Sequence, residues 1–166
     1  MNVAVLDFFL RNVDCKEFND RRVLEVGSKF VNGSVRPLIE RFCKPKEYIG
    51  VDIEPGKYVD IVLPAEKIVE YFGVESFDVV ISAETLEHVF DWRLVINNMK
   101  YALKPNGYIT TRSRGFIYHG YPYDYWRYEI NDMIKIFKDF KIIRLESDWE
   151  GPGVFLKQEN RLIGDL

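Results

Sequence analysis

The stretch Val23-Leu24-Glu25-Val26-Gly27-Ser28-Lys29-Phe30-Val31-Asn32-Gly33, followed by an acid at Asp52, constrains the fold of this chain more than any other feature. A short apolar run rich in Val and Leu that ends in an acid and a Gly reads as a buried parallel strand breaking into a tight turn. From Ser34 onward, Val35, Leu38, Ile39 and Phe42 recur at helical spacing, and Pro37 is early enough to be tolerated in the first turn. Tyr48-Ile49-Gly50-Val51 then forms a second strand that delivers Asp52 at its end. The result is a βαβ unit with an acid at each carboxyl strand end, where open α/β sheets bind ligands.

The remaining punctuation extends this unit. The Glu54-Pro55-Gly56 turn leads to a third strand, Val59-Asp60-Ile61-Val62-Leu63. Pro64-Ala65-Glu66 opens a helix that Gly73 ends, proline at a start and glycine past an end being the expected asymmetry. Phe77-Asp78-Val79-Val80-Ile81-Ser82 is a fourth strand, joined through residues 83–89 to a helix beginning near Asp91. In that helix Trp92, Val95, Ile96, Met99 and Leu103 make one apolar stripe, a core face, until Lys104-Pro105-Asn106-Gly107 stops it. Tyr108-Ile109-Thr110-Thr111 is a fifth strand. Ile130, Met133, Ile134 and Phe137 mark a further helix, and Lys141-Ile142-Ile143-Arg144-Leu145 a sixth strand. Gly151-Pro152-Gly153 turns into a seventh, Val154-Phe155-Leu156, pairing as an antiparallel hairpin. This alternation predicts an α/β fold: a doubly wound, mostly parallel seven-stranded sheet with helices on both faces and a C-terminal hairpin.

At 166 residues the chain is read as one domain, with residues 1–20 as a helical cover and 112–128 as an aromatic substrate loop. In the cover, Val3, Leu6 and Leu10 share one helical face. Asp7 interrupts the apolar N-terminal run, no basic segment precedes it and no small-residue cleavage site follows, so it does not read as a signal peptide. No segment has the length of a membrane span. A net charge of −3 gives no global basic field, which disfavours nucleic acid as a partner. Cys15 and Cys43 are isolated, with no metal-ligand spacing, so the expectation is free thiols packed as small hydrophobes in a reducing cytoplasm, with no structural metal.

The turn after the first strand lacks the Gly-x-Gly-x-x-Gly spacing that lets backbone amides approach a dinucleotide pyrophosphate. A carboxylate there would repel a pyrophosphate and attract an ammonium or sulfonium group. Asp52 stands where an acid accepts both ribose hydroxyls.

In order and spacing, these residues resemble the class I, seven-stranded S-adenosylmethionine-dependent methyltransferases. Residues 23–33 are similar to the family's first motif, Ile49-Gly50-Val51-Asp52 to its ribose-binding strand end, and Phe77-Asp78-Val79-Val80-Ile81-Ser82 to its fourth strand. Leu86-Glu87-His88 and Leu103-Lys104-Pro105-Asn106-Gly107 resemble elements of its small members. The resemblance implies S-adenosylmethionine as cofactor, with Glu25, Gly27 and Ser28 around the methionine moiety, Asp52 on the ribose and Ile53 on one adenine face. Ala65 and Glu66 would flank the adenine edge, and Ser82, Ala83 and Glu84 would line the cleft near the methyl group. Two positions depart from the pattern: Lys29 stands where the family usually has its second Gly, and Pro64 where many members have an Asp.

Methyl transfer from a sulfonium needs alignment and exclusion of water, and for a hydroxyl acceptor a general base. His119 and Asp124, in the aromatic loop, are the candidates. The competing readings are a surface position for His119, a loop-ordering pair of Asp124 with Arg127, a structural hydrogen bond for His88, and Glu84 and Glu87 as solvated or capping residues. The aromatic loop reads either as a pocket wall over a small-molecule or glycan acceptor or as a contact between two copies of the chain. The function expected is methyl transfer to an oxygen or nitrogen of such an acceptor. A non-catalytic cofactor-binding or partner subunit is the alternative raised by Lys29 and Pro64. An RNA methyltransferase is a third reading, opposed by the absence of an Asp/Asn-Pro-Pro-aromatic element after the fourth strand.

Overall fold

The computed structural model describes residues 3–112, 123–147 and 151–157. Seven strands form one sheet: β1 Arg22–Val26, β2 Glu47–Asp52, β3 Ile61–Val62, β4 Phe77–Ala83, β5 Leu103–Arg112, β6 Lys141–Ser147 and β7 Pro152–Lys157. Their order is β3-β2-β1-β4-β5-β7-β6. Pairing is parallel from β3 through β5, and β7 runs antiparallel between β5 and β6. The expected doubly wound sheet with a closing hairpin is therefore the one observed. β1 has β2 on one side and β4 on the other, which makes its carboxyl end the point where strand order reverses and a crevice opens.

Among the described residues five helices cover the sheet: α1 Val3–Asn12, α2 Arg36–Cys43, α3 Ile68–Phe72, α4 Trp92–Ala102 and α5 Ile130–Ile136. Alternation along the strands divides the core in two. Val23, Val79 and Ile81 pack with Val5, Phe8, Phe9 and Ile39 of α1 and α2. Leu24, Val80 and Ile109 pack with Ile68, Val95, Met99 and Met133 of α3, α4 and α5. Each fully buried Leu, Ile or Phe contributes on the order of 2 kcal/mol.

Several expectations are corrected. On α1 the buried face is Val5, Phe8 and Phe9, while Val3 and Leu10 are exposed and Leu6 packs only partly. The two Phe rings carry more apolar area than the Val3/Leu6/Leu10 face and take the sheet, Phe8 lying against Gly153 where a Cβ would come within 2.6 Å of its ring. On α2 and its N-cap the expected Val35 and Ile39 are buried and Leu38 packs partly, while Phe42 is exposed and Cys43 takes the inward position. The third strand keeps only two of its five expected residues, because Asp60 turns back to accept the Gly50 amide at 2.7 Å. The Lys104-Pro105-Asn106-Gly107 stop lies inside β5, as a register shift between Leu103, paired with Phe77, and Tyr108, paired with Val79. Ile134 is exposed, since α5 is a single short helix with one fully inward residue, Met133.

The thiols differ most from expectation. Cys15 and Cys43 form a disulfide that joins the short 3-10 turn Cys15–Glu17 to the end of α2. The fold brings together two residues 28 apart whose spacing carries no signal. Such bonds are rare in a reducing cytosol, which removes the thiol argument for that compartment. Among the described residues no helix is long and apolar enough to cross a membrane.

Candidate active site

At the end of β1, Gly27 has φ 76°, and a Cβ there would lie 2.0 Å from Thr85 Oγ1. Only glycine fits, because Thr85 is held over the turn by donating to the carbonyls of Val26 and Ala83. The Gly27 and Ser28 amides both donate to the Val51 carbonyl, at 2.9 and 3.1 Å, closing the turn onto the end of β2. Gly50 is equally constrained: a Cβ would lie 2.2 Å from the Tyr58 carbonyl and 2.5 Å from Ser28 Oγ.

Asp52, half-buried at the end of β2, accepts the Lys29 amide on Oδ2 at 3.1 Å and the Glu54 amide on Oδ1 at 3.2 Å. Each oxygen keeps a second lone pair for a diol. Lys29 does not obstruct the turn. Its amide orients Asp52, and its side chain extends away to Glu54 at 2.5 Å. Ile53, two-thirds exposed, presents an apolar face beside Asp52. Pro64 precedes the 3-10 turn Ala65–Lys67, which buries Ala65 and leaves Glu66 half-buried along the same edge.

Glu25 is buried, in register with Gly50 and Ile81 on the α1/α2 face. Tyr48, on the same face of β2, donates its hydroxyl to Glu25 Oε2 at 2.8 Å, and the Arg36 guanidinium lies 4.9 Å over the Tyr48 ring. Burial pushes the Glu25 carboxyl up to about 7, against the opposing pull of the Tyr48 hydrogen bond and the Arg36 charge. The same burial, together with the Glu25 charge, pushes the Tyr48 hydroxyl well above its ordinary range. A carboxyl poised near neutrality in this way gains from an approaching cation.

Across the crevice, β4 ends in Ser82 and Ala83, both buried, and Glu84 takes the left-handed φ of 52° as the chain leaves the sheet. Ser28 Oγ, Ser82 Oγ and the Thr111 hydroxyl paired with it in register are buried without a hydrogen-bond partner among the described residues. The 3-10 turn Leu86–His88 follows. Glu87, for which a solvated or capping position was the competing reading, is fully buried. Its carbonyl accepts the amides of Tyr125 and Trp126 at 2.9 and 3.2 Å, while the Trp126 indole donates to Val89 and the Tyr128 hydroxyl to Leu86. His88 Nδ1 lies 3.1 Å from the Tyr123 carbonyl, the structural bond weighed for it. Asp124, its side chain 1% exposed, pairs with both terminal nitrogens of Arg127, so the loop-ordering alternative is the one observed. His119 lies outside the described residues. Phe90, Tyr123 and Tyr125 form an exposed cluster with adjacent centroids 5.5 and 6.2 Å apart.

The structure thus brings Gly27, Ser28, Asp52, Ser82 and Ala83 to one edge, with Glu25 just beneath it. Sequence reasoning missed Tyr48, Arg36, Thr85 and Asp60. A Tyr on β2 at the same parity as the small Gly50 was the one available signal for a buried partner to Glu25. The donor set fits a cationic, ribose-bearing cofactor: a diol acceptor in Asp52, a cation acceptor in Glu25, glycines where backbone must come close, and orphaned hydroxyls at Ser28 and Ser82.

A family profile for methyltransferase domains matches residues 24–111. No curated protein sequence matches the chain. Among solved structures, an S-adenosylmethionine-dependent methyltransferase from Mesorhizobium loti aligns with a TM-score of 0.71 at 12% identity, covering 95% of this chain and 99% of that one. A chain of the Haloferax volcanii complex between the Trm112 methyltransferase activator and a methyltransferase aligns with a TM-score of 0.72 at 15% identity, covering 87% and 84%. Burkholderia thailandensis 1,6-didemethyltoxoflavin-N1-methyltransferase, with 1,6-didemethyltoxoflavin and S-adenosylhomocysteine bound, aligns at 0.69 and 12%, covering 95% and 77%.

Proposed function

The chain belongs to the methyltransferase-domain family, as a class I enzyme whose methyl donor is S-adenosylmethionine, and on that premise we propose that it methylates an oxygen or nitrogen of a small molecule or glycan. The observation that carries the donor half of this reading is the β1–β2 edge, and the exposed rings of Phe90, Tyr123 and Tyr125 support the acceptor half. Asp52 is held by two backbone amides with a lone pair free on each oxygen, next to a Gly27 turn that admits no side chain.

Bound there, S-adenosylmethionine supplies a methyl group on a sulfonium, a good leaving group. The residues then have limited tasks. Asp52 accepts the ribose hydroxyls, Ile53 covers an adenine face, and Ala65 and Glu66 bound its edge. Glu25, ionised by the nearby cation, balances the charge of the methionine end through the turn. Ser82 and Ala83 wall the methyl side and exclude water. His119 is the proposed base for a hydroxyl acceptor, and Asp124, paired with Arg127, holds residues 124–127 in place. The exposed rings of Phe90, Tyr123 and Tyr125 offer faces for a sugar or planar acceptor. That the Burkholderia relative acts on a small molecule agrees with this class. Lys29, the strongest motive for a non-catalytic module, loses that force because its side chain points to Glu54.

The test is incubation with methyl-labelled S-adenosylmethionine and separate small-molecule, glycan and RNA pools. Label in the small-molecule or glycan pool is expected, with turnover lowered and cofactor affinity kept in His119→Ala. Label confined to RNA, with binding that weakens steeply with salt, rejects the acceptor class.

A further inference from the structure

Outside the cofactor crevice, the groove between α4 and α5 holds a cavity of about 320 Å³ lined by Trp92, Arg93, Trp126, Arg127, Tyr128, Asp132, Lys135 and Ile136. Its aromatic wall is fixed in advance. The Trp126 indole donates to Val89 at 2.9 Å and the Tyr128 hydroxyl to Leu86 at 3.1 Å, while the Trp92 and Tyr128 rings meet edge to face at 6.2 Å. Arg127 is committed to Asp124, and Asp132 to the Glu129 amide in the capping box of α5. That leaves two exposed cations at the rim, Arg93, stacked 4.5 Å over Trp92, and Lys135. Neither has a carboxylate partner among the described residues.

We infer that this cavity is a second ligand site, for a small ring compound bearing a phosphoryl group. The half-buried rings of Trp92 and Trp126, backed by the buried Tyr128, offer apolar faces to a base or a sugar ring, a contact not available to a bare ion. Two unpaired cations on a protein of net charge −3 mark the rim for an anion, which Arg93 can meet with a guanidinium fork and Lys135 as a point charge. The volume is at the small end for ligand pockets, enough for one ring and one phosphoryl group. Nucleoside monophosphates and sugar phosphates share this chemistry. The walls of the site bond directly to residues 86–89, the segment that leaves the methyl side of the crevice, so occupancy bears on the acceptor end of the enzyme.

Tryptophan fluorescence reads the site, since two of the three Trp line it. The full chain is titrated with UMP, glucose 1-phosphate and inorganic phosphate. Expected is saturable quenching by UMP or glucose 1-phosphate below about 1 mM, about tenfold tighter than inorganic phosphate. In Arg93→Ala/Lys135→Ala, two exposed substitutions, that affinity falls about tenfold or more. Tighter UMP assigns the base-bearing source and tighter glucose 1-phosphate the sugar-bearing one. No saturable response to either, equal affinity in the double variant, or inorganic phosphate binding as tightly as both overturns the inference. S-adenosylmethionine titrated into the same samples reports the cofactor crevice separately, so the two readings fail independently.

Discussion

The two ends of the carboxyl edge are held in different ways. At β1 and β2 the crevice is shaped by backbone: amides of Gly27, Ser28, Lys29 and Glu54 fix Val51 and Asp52, and the Lys29-to-Asp52 bond spans only 23 residues. At β4 and β5 it is shaped by the Leu86–His88 turn fastened to residues 123–128, through bonds spanning 35 to 42 residues. Apart from Thr85, which reaches the Gly27 turn from beyond β4, the first end is the product of one βαβ unit. The second is assembled from distant parts of the chain and depends on Tyr and Trp side chains that each make one or two polar bonds. On the proposed assignment, a fixed cofactor end beside an acceptor end built from replaceable side chains lets one fold serve many acceptors.

Breaking the backbone end is expected to have the largest effect. Gly27→Ala sets a Cβ against Thr85 at a positive φ, which is expected to lower stability in urea unfolding by about 3 kcal/mol and cofactor affinity by about 100-fold. Adding Thr85→Gly relieves the overlap and recovers most of the loss, leaving about 1 kcal/mol for the backbone conformation. Full affinity in Gly27→Ala alone shows that the turn is not rigid.

The buried acid sharpens the comparison through pH. Burial raises the folded-state value for Glu25 from 4.5 to about 7. Its contribution is therefore fully present below about pH 4.5 and is lost as pH rises to about 7, a fall of about 3 kcal/mol across that window. Urea unfolding of Glu25→Gln against wild type is expected to remove this slope, and identical slopes refute the assignment. Cofactor binding near pH 6 is expected to release a proton from Glu25, seen as heats that depend on the ionisation enthalpy of the buffer.

Smaller effects follow. Tyr48→Phe removes a hydrogen bond to a buried acid and is expected to cost about 1–2 kcal/mol at pH 8 and less at pH 5, where Glu25 is protonated. Trp126→Phe loses the bond to Val89 and is expected to cost about 1 kcal/mol, with cofactor affinity changed by less than about twofold. A large loss of cofactor affinity in Trp126→Phe erases the distinction between the two ends.

The legible parts of the chain were those where function and local order coincide. The strands from Val23, Tyr48 and Phe77, the Gly27 turn and the Asp52 terminus were readable because βαβ periodicity and turn chemistry are written within a few residues. The rotation of α1 was not, because Val3, Leu6 and Leu10 and Val5, Phe8 and Phe9 are both plausible helical faces, and the sheet chose the larger rings. Thr85 was invisible, and Tyr48 was signalled only by its parity with Gly50, for a different reason: their roles exist only once β2 and β4 flank β1. Cys15 and Cys43 carried no spacing, and Glu87 looked like any acid in a polar turn until residues 125 and 126 closed over it.

Isothermal calorimetry with S-adenosylmethionine, on wild type, Asp52→Ala and Trp126→Phe at one pH and salt, tests the β1–β2 edge as the cofactor site. One saturable site is expected in wild type, weakened at least about thirtyfold in Asp52→Ala, where a ribose loses its charged acceptor, and unchanged within about twofold in Trp126→Phe. No binding by the wild type, or equal binding by Asp52→Ala, contradicts it.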